Sequence, residues 1–193
     1  SYAKLKIKNN SFDVFEYGLD LVCDGSNSPM KNTRILNNNV KTENIGLSMR
    51  YCGGETLISA NEIDTSRIGI NLFQSQASIE NNDITGNCIL DSCSKVSFTK
   101  VAEIGIKVDS NSEIITKYNN LKNFYVSLDM HESSITELTG NSINFTQTGI
   151  NSESSEIVST QNYINNTYYG LRASNSNLIL NGLHLNTFDI GID

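Results

Sequence analysis

Apolar residues recur along this chain at fixed offsets within a frame of about twenty residues, and polar residues fill the intervals. The most regular landmark is a glycine followed by an aliphatic residue: Gly18-Leu19, Gly46-Leu47, Gly69-Ile70, Gly105-Ile106, Gly149-Ile150, Gly170-Leu171 and Gly191-Ile192. Weaker copies stand at Cys88-Ile89 and Tyr125-Val126, which gives successive spacings of 28, 23, 19, 17, 20, 24, 21 and 21 residues. Eight residues before most anchors comes an Asn, one residue, then an apolar residue. Examples are Asn10-Ser11-Phe12, Asn38-Asn39-Val40, Asn61-Glu62-Ile63, Asn141-Ser142-Ile143 and Asn162-Tyr163-Ile164.

One repeat shows the elements. Ser155-Glu156-Ile157-Val158-Ser159 alternates as a strand does, with Ile157 inward. Gln161-Asn162-Tyr163-Ile164 follows, then the polar turn Asn165-Asn166-Thr167, then the strand Gly170-Leu171-Arg172-Ala173 with Leu171 and Ala173 inward. The cycle restarts 21 residues on, so Leu178 stacks on Ile157 and Leu185 on Ile164. Asn, Ser, Thr and Gly are poor helix formers, and no long stretch keeps a 3.6-residue period. Short strands in coils that cannot bury their own apolar face predict a parallel β-helix. The expected architecture is all-β: a right-handed single-stranded parallel β-helix solenoid of eight to nine coils, about 40 Å long. The anchor glycine is expected to allow a tight bend or a left-handed residue. The repeated Asn is expected to stack its amides in a ladder.

These Asn-x-Ile/Phe and Gly-Ile/Leu motifs resemble the right-handed parallel β-helix family, the pectate-lyase-like superfamily, and most closely its short NosD-like repeats. The resemblance covers residues 1–193 as one domain. It implies fold more strongly than activity, since that superfamily includes polysaccharide lyases, hydrolases, epimerases, tailspikes, adhesins and scaffolds. Ser1 leads almost directly into the strand-like Ala3–Ile7, and Asp193 ends inside an anchor motif. The chain therefore reads as a piece lacking native caps and continuous with flanking sequence.

Composition changes the picture in three ways. A hydrophobic fraction of 38% would by itself suit a disordered chain, and the fixed apolar offsets overrule that. The net charge is −7 with basic residues scattered among acids, so no nucleic-acid partner is expected. Direct membrane insertion is not expected either, because no apolar run reaches 18 residues. A secreted or cell-surface setting is favoured, with no cofactor.

For catalysis, residues at equal offset from their anchors should lie side by side. Offset four gives Asp109 and Asp129, with Lys107 and His131 close by. This carboxylate–base cluster is the candidate catalytic set for a lyase or hydrolase acting on an acidic glycan. The competing reading is a solvated strand face. A second group, Asp91, Glu103 and Lys107, lies around the shortest coil. Arg50 and Arg172 show no convergent acid, and His184 should point outward.

Cys23 and Cys52 fall on adjacent coils and Cys88 and Cys93 straddle one bend. The spacing is not a disulfide framework, so free thiols are favoured for all four, with Cys23–Cys52 pairing the alternative. No spacing suits zinc or another metal. Sequons stand at Asn9, Asn144 and Asn165, about as many as so Asn-rich a chain carries by chance. Tyr168, Tyr169, Phe124 and Tyr125 either stack on sugars or plug the ends of the core.

The favoured function is a non-catalytic rigid scaffold, or a glycan- or protein-binding segment, of a larger surface or fibre protein. The alternatives are the polysaccharide lyase or hydrolase and a structural repeat that self-associates end to end.

Overall fold

The computed structural model describes residues 4–23, 32–87, 102–132 and 135–193. Every regular element in them is a strand. Strands are numbered in chain order. The first sheet stacks β1 (Lys6–Lys8), β4 (Thr33–Leu36), β7 (Thr56–Ser59), β10 (Gln76–Glu80), β13 (Glu113–Lys117), β16 (Ile135–Thr139), β18 (Glu156–Thr160) and β20 (Asn177–Asn181). The second sheet has two faces. On one stack β2 (Ser11–Val14), β5 (Asn39–Thr42), β8 (Glu62–Thr65), β11 (Asp83–Gly86) and β14 (Asn120–Lys122). On the other stack β3 (Tyr17–Val22), β6 (Ile45–Arg50), β9 (Ile68–Phe73), β12 (Ala102–Asp109) and β15 (Phe124–His131). The long strands β17 (Ser142–Glu153), β19 (Tyr163–Ser174) and β21 (His184–Ile192) run through both. All these pairings are parallel, as a solenoid requires.

The core is a set of aliphatic columns. Val40, Ile63, Ile84, Leu121, Ile143 and Ile164 stack in register, as do Leu47, Ile70, Ile106, Leu128, Ile150 and Leu171. All twelve are buried, each contributing about 1.5–3 kcal/mol. Ile157 lies directly against Leu178, as the repeat predicts.

The Asn ladder forms as expected. Asn10, Asn38, Asn61, Asn82, Asn119, Asn141 and Asn162 stand one above another. In each step the backbone N–H and side-chain Nδ2 donate to the next Oδ1 at 2.9–3.1 Å. Spare Nδ2 hydrogens reach backbone carbonyls inside the bend, as from Asn61 to Ile35 and Ser59. One side chain thus satisfies backbone groups that the bend removes from the strand pairing.

The anchor glycine has a different cause from the one expected. None of the anchor glycines has a positive φ; instead a left-handed residue sits immediately before each ladder Asn, at Asn9, Asn37, Ala60, Asn81, Tyr118, Gly140 and Gln161, and others stand at further corners such as Tyr51, Gln74 and Ser154. The anchor is Gly because coils approach too closely for a Cβ. A Cβ on Gly46 would lie 2.6 Å from the Gly69 carbonyl oxygen and closer still to Ile63 Cγ2.

Register corrects two more expectations. β9 pairs directly with β12, so no coil intervenes between the anchors Gly69 and Gly105, and Cys88 marks none. Cys88 itself lies outside the described residues. In the next coil the residue facing Gly105 is Ser127, two positions after Tyr125, and the Ser127 carbonyl oxygen is what a Cβ on Gly105 would meet. The short coils at Cys88 and Tyr125 therefore do not exist as such. Eight stacked strands leave about six turns enclosed by a neighbour on each side, fewer than the eight to nine coils expected.

Cys23 and Cys52 form a disulfide, contrary to the free thiols expected of them. Both sit at the corner after the anchor strand, where Cys23 N–H donates to the Arg50 carbonyl. Stacking brings together side chains that are 29 residues apart in sequence. Cys93, like Cys88, lies outside the described residues.

Candidate functional site

Parallel stacking turns outward positions of successive strands into rows along the solenoid, about 4.8 Å per step. On the face formed by β12, β15 and β17, two outward rows matter. One reads Asn71, Lys107, Asp129, Asn151, Arg172; the other reads Phe73, Asp109, His131, Glu153, Ser174.

All four candidate residues come together here, with a different pairing. Asp109 stands beside His131, and Asp129 beside Lys107, because the coil is anchored at Ser127. Lys107 Nζ donates to Asp109 Oδ2 at 3.1 Å. His131 Nε2 meets Asp129 Oδ1 at 2.9 Å, and its Nδ1 lies 3.2 Å from Glu153 Oε2. A neutral imidazole donates to one of these carboxylates; only a doubly protonated ring donates to both. Asn151 Nδ2 donates to Asp129 Oδ1 at 2.8 Å, and the Asp129 side chain is only 10% exposed. Glu132 and Ser154 complete a shallow depression of about 480 Å³.

Glu153 and Asn151 are the members that offset counting missed. The signal was present: Gly105 to Gly149 is two equal steps of 22 residues, which places the middle anchor at 127 and Glu153 beside His131. The second expected group does not assemble. Glu103 pairs with Arg67 at 3.0 Å while Lys107 pairs with Asp109, and Asp91 lies outside the described residues. Arg50 and Arg172, expected to lack an acid, each have one. Arg50 reaches Asp20 at 2.6 Å, and Arg172 reaches Asp193 at 3.1 Å while lying over the Tyr169 ring.

His184 points outward and stacks on the Tyr163 ring, centroids 4.7 Å apart. The aromatics divide between the two readings: Phe124 is fully buried as a plug, Tyr125 is exposed, and Tyr168 and Tyr169 are half-buried. Of the sequons, Asn9 is exposed, whereas Asn144 and Asn165 are half-buried above the buried Thr146 and Thr167. Among the described residues no three His, Cys, Asp or Glu side chains converge as a metal-ligand set.

One carboxyl away from this face is perturbed. Burial pushes the Asp64 carboxyl above its ordinary range; Lys41 opposes the shift, Glu62 adds to it, and Lys122 opposes it.

Compared with known proteins, the chain matches no family model, no curated protein and no solved structure. Its fold class is an all-β parallel β-solenoid.

Proposed function

We propose that this chain is a rigid, non-catalytic β-solenoid segment of a larger surface or fibre protein, built from short NosD-like repeats. It displays its polar rows to a glycan or protein partner. The observation that carries this reading is the internal pairing of the candidate cluster. Lys107 is held by Asp109, Asp129 by His131 and Asn151, and His131 also by Glu153. A general base needs a lone pair aimed at the substrate proton, and Asp129 Oδ1 is already held by His131 and Asn151. Mutually paired side chains on an open rigid strand face suit many weak contacts to an extended partner. The Cys23–Cys52 disulfide supports an oxidising compartment, and so a secreted or cell-surface setting.

The convergence of Lys107, Asp109, Asp129 and His131 with Glu153 favours the enzyme as second reading. Its substrate is better taken as a neutral glycan than an acidic one. Four acids (Asp109, Asp129, Glu132 and Glu153) line the depression against Lys107 and His131, and they repel a polyanion.

The experiment is incubation of the protein with panels of neutral and acidic oligosaccharides, scoring retention on the protein and new chain ends together. Retention without products is expected. Shortened or unsaturated products that vanish in Asp109→Asn/Asp129→Asn would replace the scaffold by the enzyme. End-to-end self-association is a further reading, and a mass that does not change with concentration in sedimentation would remove it.

A further inference from the structure

The first sheet carries a hollow on the side of the molecule that the cluster does not use. Its floor is one outward row in which Leu57, Ser78 and Ile115 are in-register neighbours on β7, β10 and β13. Two aliphatic side chains flank a serine, so the row dips at Ser78. Gly54 adds no side chain on the near wall, and the space amounts to about 480 Å³. A floor of Leu57 and Ile115 about Ser78, with a few polar groups at the edge, is the usual character of a binding site.

The edge has a sign. Among the described residues Glu55, Glu80 and Glu113 line it against one cation, Arg34. Some of these groups are pre-set: Gly54 N–H donates to Gln76 Oε1, Gln76 Nε2 donates to Glu113 Oε2 at 3.1 Å, and Ser78 Oγ donates to Glu80 Oε1 at 2.7 Å. Glu55 makes no ion pair among the described residues. No aromatic ring among the described residues lines the hollow, so none of them offers a platform for stacking a sugar. An anionic ligand meets net negative charge.

We propose that this hollow is a docking site for a basic segment of a protein partner, one that seats an aliphatic side chain over Ser78 between Leu57 and Ile115 and sets flanking lysines or arginines against Glu55 and Glu113. The site is independent of the role proposed for the polar rows, because it stands on a different sheet. Its occupant follows from an apolar floor that excludes water and an acidic rim that selects charge.

The test follows the Leu57 and Ile115 methyl resonances during titration with two acetylated pentapeptides. One has leucine flanked by lysines; the other has leucine flanked by glutamates. Saturable shifts with the lysine peptide are expected, weakened by salt and about fivefold by Glu55→Gln/Glu113→Gln. Ser78→Phe should fill the dip and abolish the shifts while the ladder-Asn amide resonances stay in place, which separates lost docking from lost folding. An equal response to the glutamate peptide overturns the proposal. So do saturable shifts with a neutral oligosaccharide, or no shift with the lysine peptide at millimolar concentration.

Discussion

Removing one rung from the middle of the Asn ladder should cost far more than removing one from its end. Asn82 accepts from the Asn61 backbone N–H and from Asn61 Nδ2, both at 2.9 Å. Its own Nδ2 donates to the Ile58 and Glu80 carbonyls and to Asn119 Oδ1. Asn82→Ala leaves the buried Asn61 N–H without its acceptor, at about 1–3 kcal/mol, and removes further bonds at about 0.5–1.5 kcal/mol each. Counting the orphaned donor, the lost Asn61 Nδ2 bond and the two hydrogens of Asn82 Nδ2, the sum centres on about 5 kcal/mol. Asn10 is the contrasting rung. It is exposed, none of the described residues donates to its Oδ1, and its backbone bond to Asn38 Oδ1 survives in alanine. Asn10→Ala loses only the Nδ2 bonds to Asn38 Oδ1 and the Lys8 carbonyl, which water can replace, so about 0.5–1 kcal/mol is expected. Urea denaturation followed by far-ultraviolet circular dichroism gives both values, and hydrogen exchange at the Asn61 amide reads the effect locally. If the two variants differ by less than about 1 kcal/mol, or if Asn61 exchange does not accelerate in Asn82→Ala, the ladder is not what satisfies the bend.

Three further outcomes follow from the same geometry. Reducing Cys23–Cys52, or Cys23→Ser/Cys52→Ser, should lower stability by about 3.5 kcal/mol from loop entropy over a 29-residue separation. Faster hydrogen exchange should then be confined to the first two coils. Gly69→Ala puts a Cβ 2.5 Å from both the Gly105 carbonyl oxygen and Ile84 Cγ2, so a loss above about 2 kcal/mol is expected. Gly53→Ala meets nothing within 4 Å and should move the urea midpoint little. For Asp64, the folded state binds the proton more tightly than the unfolded one, so this group's contribution to stability falls as pH rises from 3.8 through the raised folded value. Asp64→Asn should therefore raise the melting temperature at pH 7 and leave it unchanged below pH 3.8; an equal shift at both pH values would contradict the burial effect.

The inward half of this molecule is legible in sequence because it is periodic. Ile157 over Leu178, and the seven stacked asparagines, follow from counting residues. The anchor was legible in place but not in cause. Counting shows that Gly69 recurs where Gly46 stood, and only the neighbouring coil shows that a carbonyl oxygen occupies the space of its Cβ. That difference explains the misplaced anchors. A search for Gly-like residues before an aliphatic one finds Cys88 and Tyr125, whereas close approach selects the small Ser127 followed by Leu128. A shift of two residues kept Lys107, Asp109, Asp129 and His131 on one face but changed which were neighbours, and it hid Glu153. The hollow at Ser78 was not legible at all. It arises from relief across three strands, and no single strand encodes relief.

The division between inward and outward positions bears on function as well as stability. Every requirement that fixes the coil is met by residues facing in or lying at the corners: the aliphatic columns, the ladder amides, the anchor glycines and the left-handed residues before each ladder Asn. Outward residues are constrained only by their neighbours along the row, so charge and shape there can change without disturbing the stack. An enzyme on such a scaffold would be expected to hold at least one reactive group away from its neighbours, at a cost in local stability. The rows around Asp129 and His131 do the reverse: His131 lies between Asp129 on its own strand and Glu153 on the next, and Asn151 of that next strand donates to Asp129. Residues so arranged lower the self-repulsion of an acidic surface and hold a fixed pattern of donors and acceptors at the pitch of the sheet. That arrangement is what the proposed binding role draws on.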